Sequence, residues 1–170
     1  MEWTGARYAD QPTVEATIWI SGGPERVWPL VSDIRLMPSM SQELQSAEWC
    51  DGASGPGLGH AFLGRSKHDA LGEWQTKSYV VEYEQPRVFA WAVGDRDNPA
   101  STWRFTLEPE RGGTRLVQWA RLGPARSGLS YAIDRRPDQE QKIVFVRLRE
   151  WEKAMTATVA AVKDRVEAGR

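Results

Sequence analysis

The sequence predicts an α+β domain in which seven antiparallel strands are followed by one long C-terminal helix. Two observations indicate this: residues 137–169 carry apolar side chains at helical spacing, and the preceding hundred residues form short alternating segments separated by turns. The apolar positions of the helix, three or four residues apart, are Val144, Leu148, Trp151, Met155, Val159, Val162 and Val166. Because this apolar face has to be covered, we expect the helix to pack on the sheet.

The N-terminal part of the domain is predicted to be one strand followed by two short helices. Residues 14–20 alternate apolar and polar side chains, which is typical of a half-buried strand. Pro24 and Glu25 suit the first turn of a helix over residues 24–33, and residues 36–41 form a second short helical turn.

Six further strands are predicted at short spacing. Their separators are rich in Gly, Pro, Asp and Asn, so consecutive strands form hairpins in an antiparallel meander. The strands cover residues 44–50, 60–68, 73–84, 88–93, 102–108 and 114–121. The segment 122–136 is expected to cross the end of the sheet and lead into the long helix.

Length and composition indicate one domain in a reducing compartment. A chain of 170 residues can bury its own core, and the single Cys50 has no partner for an internal disulfide. The N-terminus lacks the apolar segment of a signal peptide, and there is no apolar run near the ~20 residues that cross a bilayer. We therefore expect a soluble, cytoplasmic protein without integral membrane contact.

Charge and aromatic content limit the partners. The 22 basic and 23 acidic residues are interspersed, which argues against a nucleic-acid partner. The chain contains 9 Trp although its hydrophobic share is only 41%, so large aromatic side chains are concentrated in a specific place.

The order strand, two short helices, six strands, long helix resembles the START-like superfamily, also called SRPBCC. The local elements of this resemblance are the turn Gly55-Pro56-Gly57-Leu58-Gly59, the segment Pro86-Arg87-Val88-Phe89-Ala90-Trp91, and Gly112-Gly113-Thr114. It covers residues 13–168 as a single domain, after an N-terminal tail of residues 1–12. The resemblance implies a helix-grip fold, in which a curved sheet wraps around the long helix and leaves an apolar cavity for a small hydrophobic molecule.

Strand alternation assigns side chains to the inner face of the sheet, because charged residues mark the outer face. The predicted ligand-binding residues are Phe62, Trp74, Thr76, Ser78, Phe89, Trp91, Trp103, Phe105, Leu116 and Gln118 from the sheet, with Trp151 and Met155 from the helix. A bulge is expected to reverse the alternation beyond Ser78. The same aromatic set would also fit a filled core, but Thr76, Ser78 and Gln118 are polar groups that a dry core would have to satisfy.

The two histidines are the side chains whose ordinary pKa lies near neutrality. His60 and His68 are eight residues apart on one strand, ~26 Å at about 3.3 Å per residue, so they cannot share one metal site or dyad. His60 follows the glycine turn and is the candidate general acid or base, with Gln118 as a second catalytic candidate. His68 also fits a partly exposed strand-end histidine. We expect no metal and no cofactor.

Three functions follow from these features. The first is binding of a hydrophobic small molecule, such as a lipid, a polyketide or an aromatic metabolite, between sheet and helix. The second is a polyketide cyclase or aromatase that uses the same cavity. The third is a regulatory or interaction protein, for which Trp3, Trp19 and Trp119 are candidate contact residues. The oligomeric state and the identity of the ligand do not follow from the sequence.

Overall fold

A computed structural model describes residues 1–169 and confirms the α+β architecture. One antiparallel sheet has the strand order β1-β7-β6-β5-β4-β3-β2, so the first strand pairs with the last. The strands are β1 Thr13–Ile20, β2 Leu44–Cys50, β3 Ala61–His68, β4 Gly72–Glu84, β5 Val88–Val93, β6 Ser101–Glu110 and β7 Gly113–Leu122. The sheet curves around a long helix, as the helix-grip fold requires.

The helical segments agree with the prediction at both ends of the domain. Helix α1 spans Pro24–Ser32, and a 3-10 turn at Met37–Met40 forms the second short helix. The long helix α3 spans Glu140–Ala168 and is preceded by a 3-10 turn at Pro137–Gln139.

Helix α2, Gly128–Arg135, lies in the connecting segment, for which no regular element was predicted. Its N-terminus is capped locally, because the Ser127 hydroxyl accepts a hydrogen bond from the amide of Leu129 and the Ser130 hydroxyl accepts one from the amide of Ser127. This helix of eight residues is therefore a difference from the prediction.

The apolar face predicted for the long helix is the buried face of α3. All seven positions are buried, and α3 packs against β1 across the inner side of the sheet. Thr158 fastens the helix to the 3-10 turn by donating to the carbonyl of Met40 at 2.9 Å. Across residues 1–169, none of the helices has the length and apolarity needed to span a bilayer.

The predicted bulge lies in β4. Its register with β5 shifts between Val80 and Glu82, so Val80 is on the inner face before the shift and Tyr83 after it. Beyond the bulge, Tyr83 packs edge-on against Trp28 of α1 at 5.6 Å between ring centroids.

The N-terminal segment, residues 1–12, packs along the outer side of α3. Trp3 contacts Phe145 edge-on at 5.1 Å, and Gln141 donates to the carbonyl of Gly5 at 2.7 Å. Tyr8 follows in a 3-10 turn, Tyr8–Asp10, and its hydroxyl donates to the carbonyl of Ala125 at 2.5 Å. The segment therefore joins α3 to the loop before α2.

Candidate ligand-binding site

The inner face of the sheet carries a continuous aromatic cluster around Trp91. Its ring centroid lies 5.5 Å from Phe89, 6.0 Å from Phe62 and 6.0 Å from Phe105. Trp103 stacks on Trp91 with an interplanar angle of 9°. Register explains this arrangement, because Trp91 pairs directly with Trp103 and Phe89 with Phe105 on neighbouring strands.

The sheet and the helix meet at Trp103 and Trp151, whose ring centroids are 4.6 Å apart. Met155, one turn further along α3, and Leu116 of β7 are fully buried in the same core. These predicted residues are thus brought together, but at this point their own side chains fill the space between sheet and helix.

Gln118 is the unusual polar residue of this face. It is 4% exposed, it pairs in register with Phe105, and its Oε1 atom is buried without a hydrogen-bond partner in residues 1–169. A buried acceptor without a partner costs roughly 1–3 kcal/mol. A hydrogen-bond donor placed beside this oxygen would remove that cost.

The predicted residues of β4 occupy the other end of the face. Ser78 is buried opposite Phe62, whereas Thr76 and Trp74 are half-buried opposite Gly64 and Ser66. These two residues lie toward the β3–β4 hairpin, away from Gln118.

Trp49 belongs to the same face and was not predicted. Its ring lies 5.7 Å from Phe62 and 6.3 Å from His60, and its Nε1 atom is buried without a hydrogen-bond acceptor in the described chain. The signal that could have identified it is its alternation with Ala47, which is also buried on this side.

His60, the candidate general acid or base, is exposed, and its ring lies beside Trp49 at the edge of this face. It precedes β3, and its Nδ1 donates to the carbonyl of Gly55 at 2.7 Å, so the ring packs on the glycine turn. A Cβ at Gly57 would lie 2.6 Å from this ring, which explains the glycine there. Three strands separate β3 from the strand of Gln118, and the structure does not bring the two catalytic candidates together.

His68 is part of a partly buried ionic network at the end of the sheet. Its Nδ1 accepts from the amides of Ala70 and Leu71, and its Nε2 lies 2.8 Å from a carboxylate oxygen of Glu150. This arrangement fits the neutral tautomer with its proton on Nε2, which donates to Glu150. Both ring nitrogens are engaged, so His68 is held as a structural group.

Arg147 is the centre of that network. It donates to Glu43 at 2.6 and 2.9 Å and to Glu150 at 2.9 Å. Burial by itself lowers the pKa of Arg147, but the hydrogen bonds and charges of Glu43 and Glu150 outweigh burial and raise the pKa above its usual value.

Glu43, His68 and Glu150 also place possible metal-ligand atoms within 4.8 Å of one another. The guanidinium of Arg147 already supplies the cation that these two carboxylates need. The geometry is thus accounted for by the ion pairs of Arg147.

A pocket of about 280 Å³ adjoins this network. It lies between the β3–β4 hairpin, α2 and the N-terminal half of α3, and its walls include Leu71, Leu129, Ile143 and Val146. None of the predicted ligand-binding residues lines it. Arg147 borders both regions, since it lines the pocket while its guanidinium lies 5.7 Å from the ring centroid of Trp151.

The chain belongs to the family described as polyketide cyclase / dehydrase and lipid transport, whose model matches residues 11–167. This match confirms the START-like, SRPBCC resemblance seen in the sequence. A search of curated proteins finds no significant match.

Several solved structures have the same fold. The polyketide-cyclase-like protein Cgl2372 from Corynebacterium glutamicum is 27% identical, with a TM-score of 0.66 and 92% of each chain covered. The protein TTHA0849 from Thermus thermophilus is 16% identical, with a TM-score of 0.64 over 93% of this chain and 99% of the other. The di-domain aromatase/cyclase StfQ of the steffimycin biosynthetic pathway is 13% identical, with a TM-score of 0.70 over 93% of this chain and 52% of StfQ.

Proposed function

We propose that this protein binds a small hydrophobic molecule carrying a hydroxyl group between the inner face of the sheet and α3. The observation that carries the proposal is the partnerless Oε1 atom of Gln118 within an aromatic surface. A ligand hydroxyl would donate to this oxygen, while Phe105 and the neighbouring rings supply apolar contact. The family described for polyketide cyclases and lipid transport supports the same class of ligand.

Binding requires the sheet and helix to separate locally. Trp103 is half-buried, whereas Trp151 is only 7% exposed. Rotation of the Trp103 side chain therefore opens space beside Trp151 with less rearrangement than a movement of Trp151 itself. In the complex, a contact with the ligand replaces the contact between Trp103 and Trp151. Because the two contacts have similar area, the apolar surface stays buried with and without the ligand.

The test compares two probes that differ in one hydroxyl, 1-naphthol and naphthalene, by isothermal titration calorimetry. Because only 1-naphthol can donate a hydrogen bond to the buried acceptor, we expect it to bind about tenfold more tightly than naphthalene. Gln118→Leu removes the acceptor and should make the two affinities equal.

Gln75→Leu is the matched control, since it makes the same chemical change on the exposed outer side of β4. It should leave the tenfold preference unchanged. A wild-type protein that binds neither probe overturns the proposal, and an undiminished preference for 1-naphthol in Gln118→Leu removes the role of Gln118.

Catalysis of polyketide cyclisation is the second candidate, favoured by the likeness to Cgl2372 and to StfQ. The inner-face polar groups Thr76, Ser78 and Gln118 do not titrate near neutral pH, which favours binding and orientation over proton transfer. Incubation with a synthetic poly-β-ketone thioester decides between the two. Cyclised product formed faster with the wild-type protein than with Gln118→Leu would favour catalysis.

A further inference from the structure

The 280 Å³ pocket beside α2 combines an apolar floor with unpaired positive charge. Leu71 and Val146, which both line the pocket, leave 41% and 43% of their surface exposed, which is unusual for large apolar side chains. Leu129 and Ile143 complete the floor. The volume lies just below the roughly 300–1,000 Å³ of small-molecule pockets.

Two cations line this pocket without a partner. The side chains of Arg136 and Lys142 make no hydrogen bond or ion pair with any residue of the described chain 1–169. Nearby carboxylates are already engaged: Asp134 pairs with Arg126, and Glu140 pairs with Arg7. The two cations are therefore available to an anion.

The third cation of the lining is not available. Arg147 is shared between Glu43 and Glu150, and Glu150 also accepts from His68. Two carboxylates share one guanidinium in this network and His68 is neutral, so the network carries one net negative charge. The unpaired positive charge of the lining is therefore confined to the side formed by Arg136 and Lys142.

We propose that this pocket is a second binding site, which takes an amphipathic carboxylate. The alkyl chain lies on Leu71, Leu129, Ile143 and Val146, and the carboxylate faces Arg136 and Lys142. The site is separate from the aromatic face around Gln118, because no residue of that face lines the pocket. Charge complementarity selects a carboxylate over an alcohol of the same chain length.

The test uses decanoate and decan-1-ol, which share a chain and differ in the charge of the head group. Calorimetric titration should give at least about tenfold tighter binding of decanoate at low salt, with the preference falling as ionic strength rises. Arg136→Gln and Lys142→Gln should each weaken decanoate binding about fivefold and leave the affinity for decan-1-ol unchanged.

Matched variants locate the site. Arg135→Gln removes the neighbouring cation, which does not line the pocket, and should leave decanoate binding unchanged. Leu71→Asn alters an exposed floor residue and should weaken both ligands without unfolding the protein, as circular dichroism would verify. Gln118→Leu should leave decanoate binding unchanged, which distinguishes this site from the aromatic interior.

Two results overturn the proposal. One is equal affinity of the wild-type protein for decanoate and decan-1-ol at low salt. The other is a loss of decanoate binding in Arg135→Gln as large as that in Arg136→Gln, which would show only general attraction to a basic surface.

Discussion

Arg147 of α3 donates through Nη1 and Nη2 to the two carboxylate oxygens of Glu43, at 2.6 and 2.9 Å, and so fastens the long helix to the segment that enters β2. The pair is bidentate, and the Arg147 side chain is only 10% exposed. The position of α3 relative to the start of β2 is therefore fixed by an ion pair between two residues that are far apart in sequence.

Replacement of Arg147 by Met should destabilise the fold by about 2 kcal/mol, because Glu43 and Glu150 then lose their common counter-charge in a partly buried position. The free energy of unfolding in urea measures the loss. Arg149→Met, two residues along on the exposed side of α3, should cost far less. Equal losses in the two variants would show that the ion pairs contribute nothing specific.

Trp151→Ala should open a cavity between sheet and helix. We expect a loss of about 3 kcal/mol, because Trp151 is buried against Trp103. Indole should then raise the melting temperature of the variant in a concentration-dependent way, since it can occupy the vacated volume.

Trp119→Ala is the control for indole, because Trp119 lies on the outer face of the sheet under the guanidinium of Arg104. Indole should leave its melting temperature unchanged. A similar rise in both variants would mean that indole does not bind in the cavity left by Trp151.

The glycine turn and His60 should be energetically coupled. Gly57→Ala places a methyl group 2.6 Å from the imidazole and forces the ring away from the carbonyl of Gly55, at a cost of about 1 kcal/mol. Gly55→Ala meets no atom within 4 Å and should be less costly. In a His60→Ala background the effect of Gly57→Ala should disappear, and its persistence in a double-mutant cycle would contradict the contact.

Asp95 should give the β5–β6 hairpin a pH-dependent contribution. The amides of Asn98 and Asp97 donate to its carboxylate and lower its pKa. A lowered folded-state pKa stabilises the fold above the unfolded value of about 3.9, and this stability is lost as the pH falls through the folded value.

Asp95→Ala should therefore be less stable than the wild type at pH 7, with a difference that narrows toward pH 3. Urea denaturation at both pH values tests this, with Asp97→Ala as the control because Asp97 contributes its amide and not its carboxylate to the turn. A difference that does not change with pH would exclude the carboxylate as its source.

Local patterns in the sequence were sufficient to predict most of the fold. The two-residue alternation located β2 and β5 with their observed bounds, and the helical spacing identified the buried face of α3. The same alternation assigned Trp91 and Trp103 to one face, because register on neighbouring strands follows from the hairpin turns.

Features that depend on contacts between distant elements were not predictable. Alternation shows that Trp103 points inward, but whether it meets Trp151 or borders a void depends on the distance between sheet and helix. The pocket beside α2 draws its residues from a hairpin, two helices and the turn between the helices. Helix α2 has too few apolar positions for its helical periodicity to be recognised in the sequence.

The pairing of β1 with β7 also has a consequence during synthesis. Strand β1 finds its partner about a hundred residues later in the chain, so its apolar side chains leave the ribosome long before they can be covered. Completion of the sheet is consequently a late event, and Ile20 and its neighbours in β1 are the segment that a chaperone would have to protect in the nascent polypeptide.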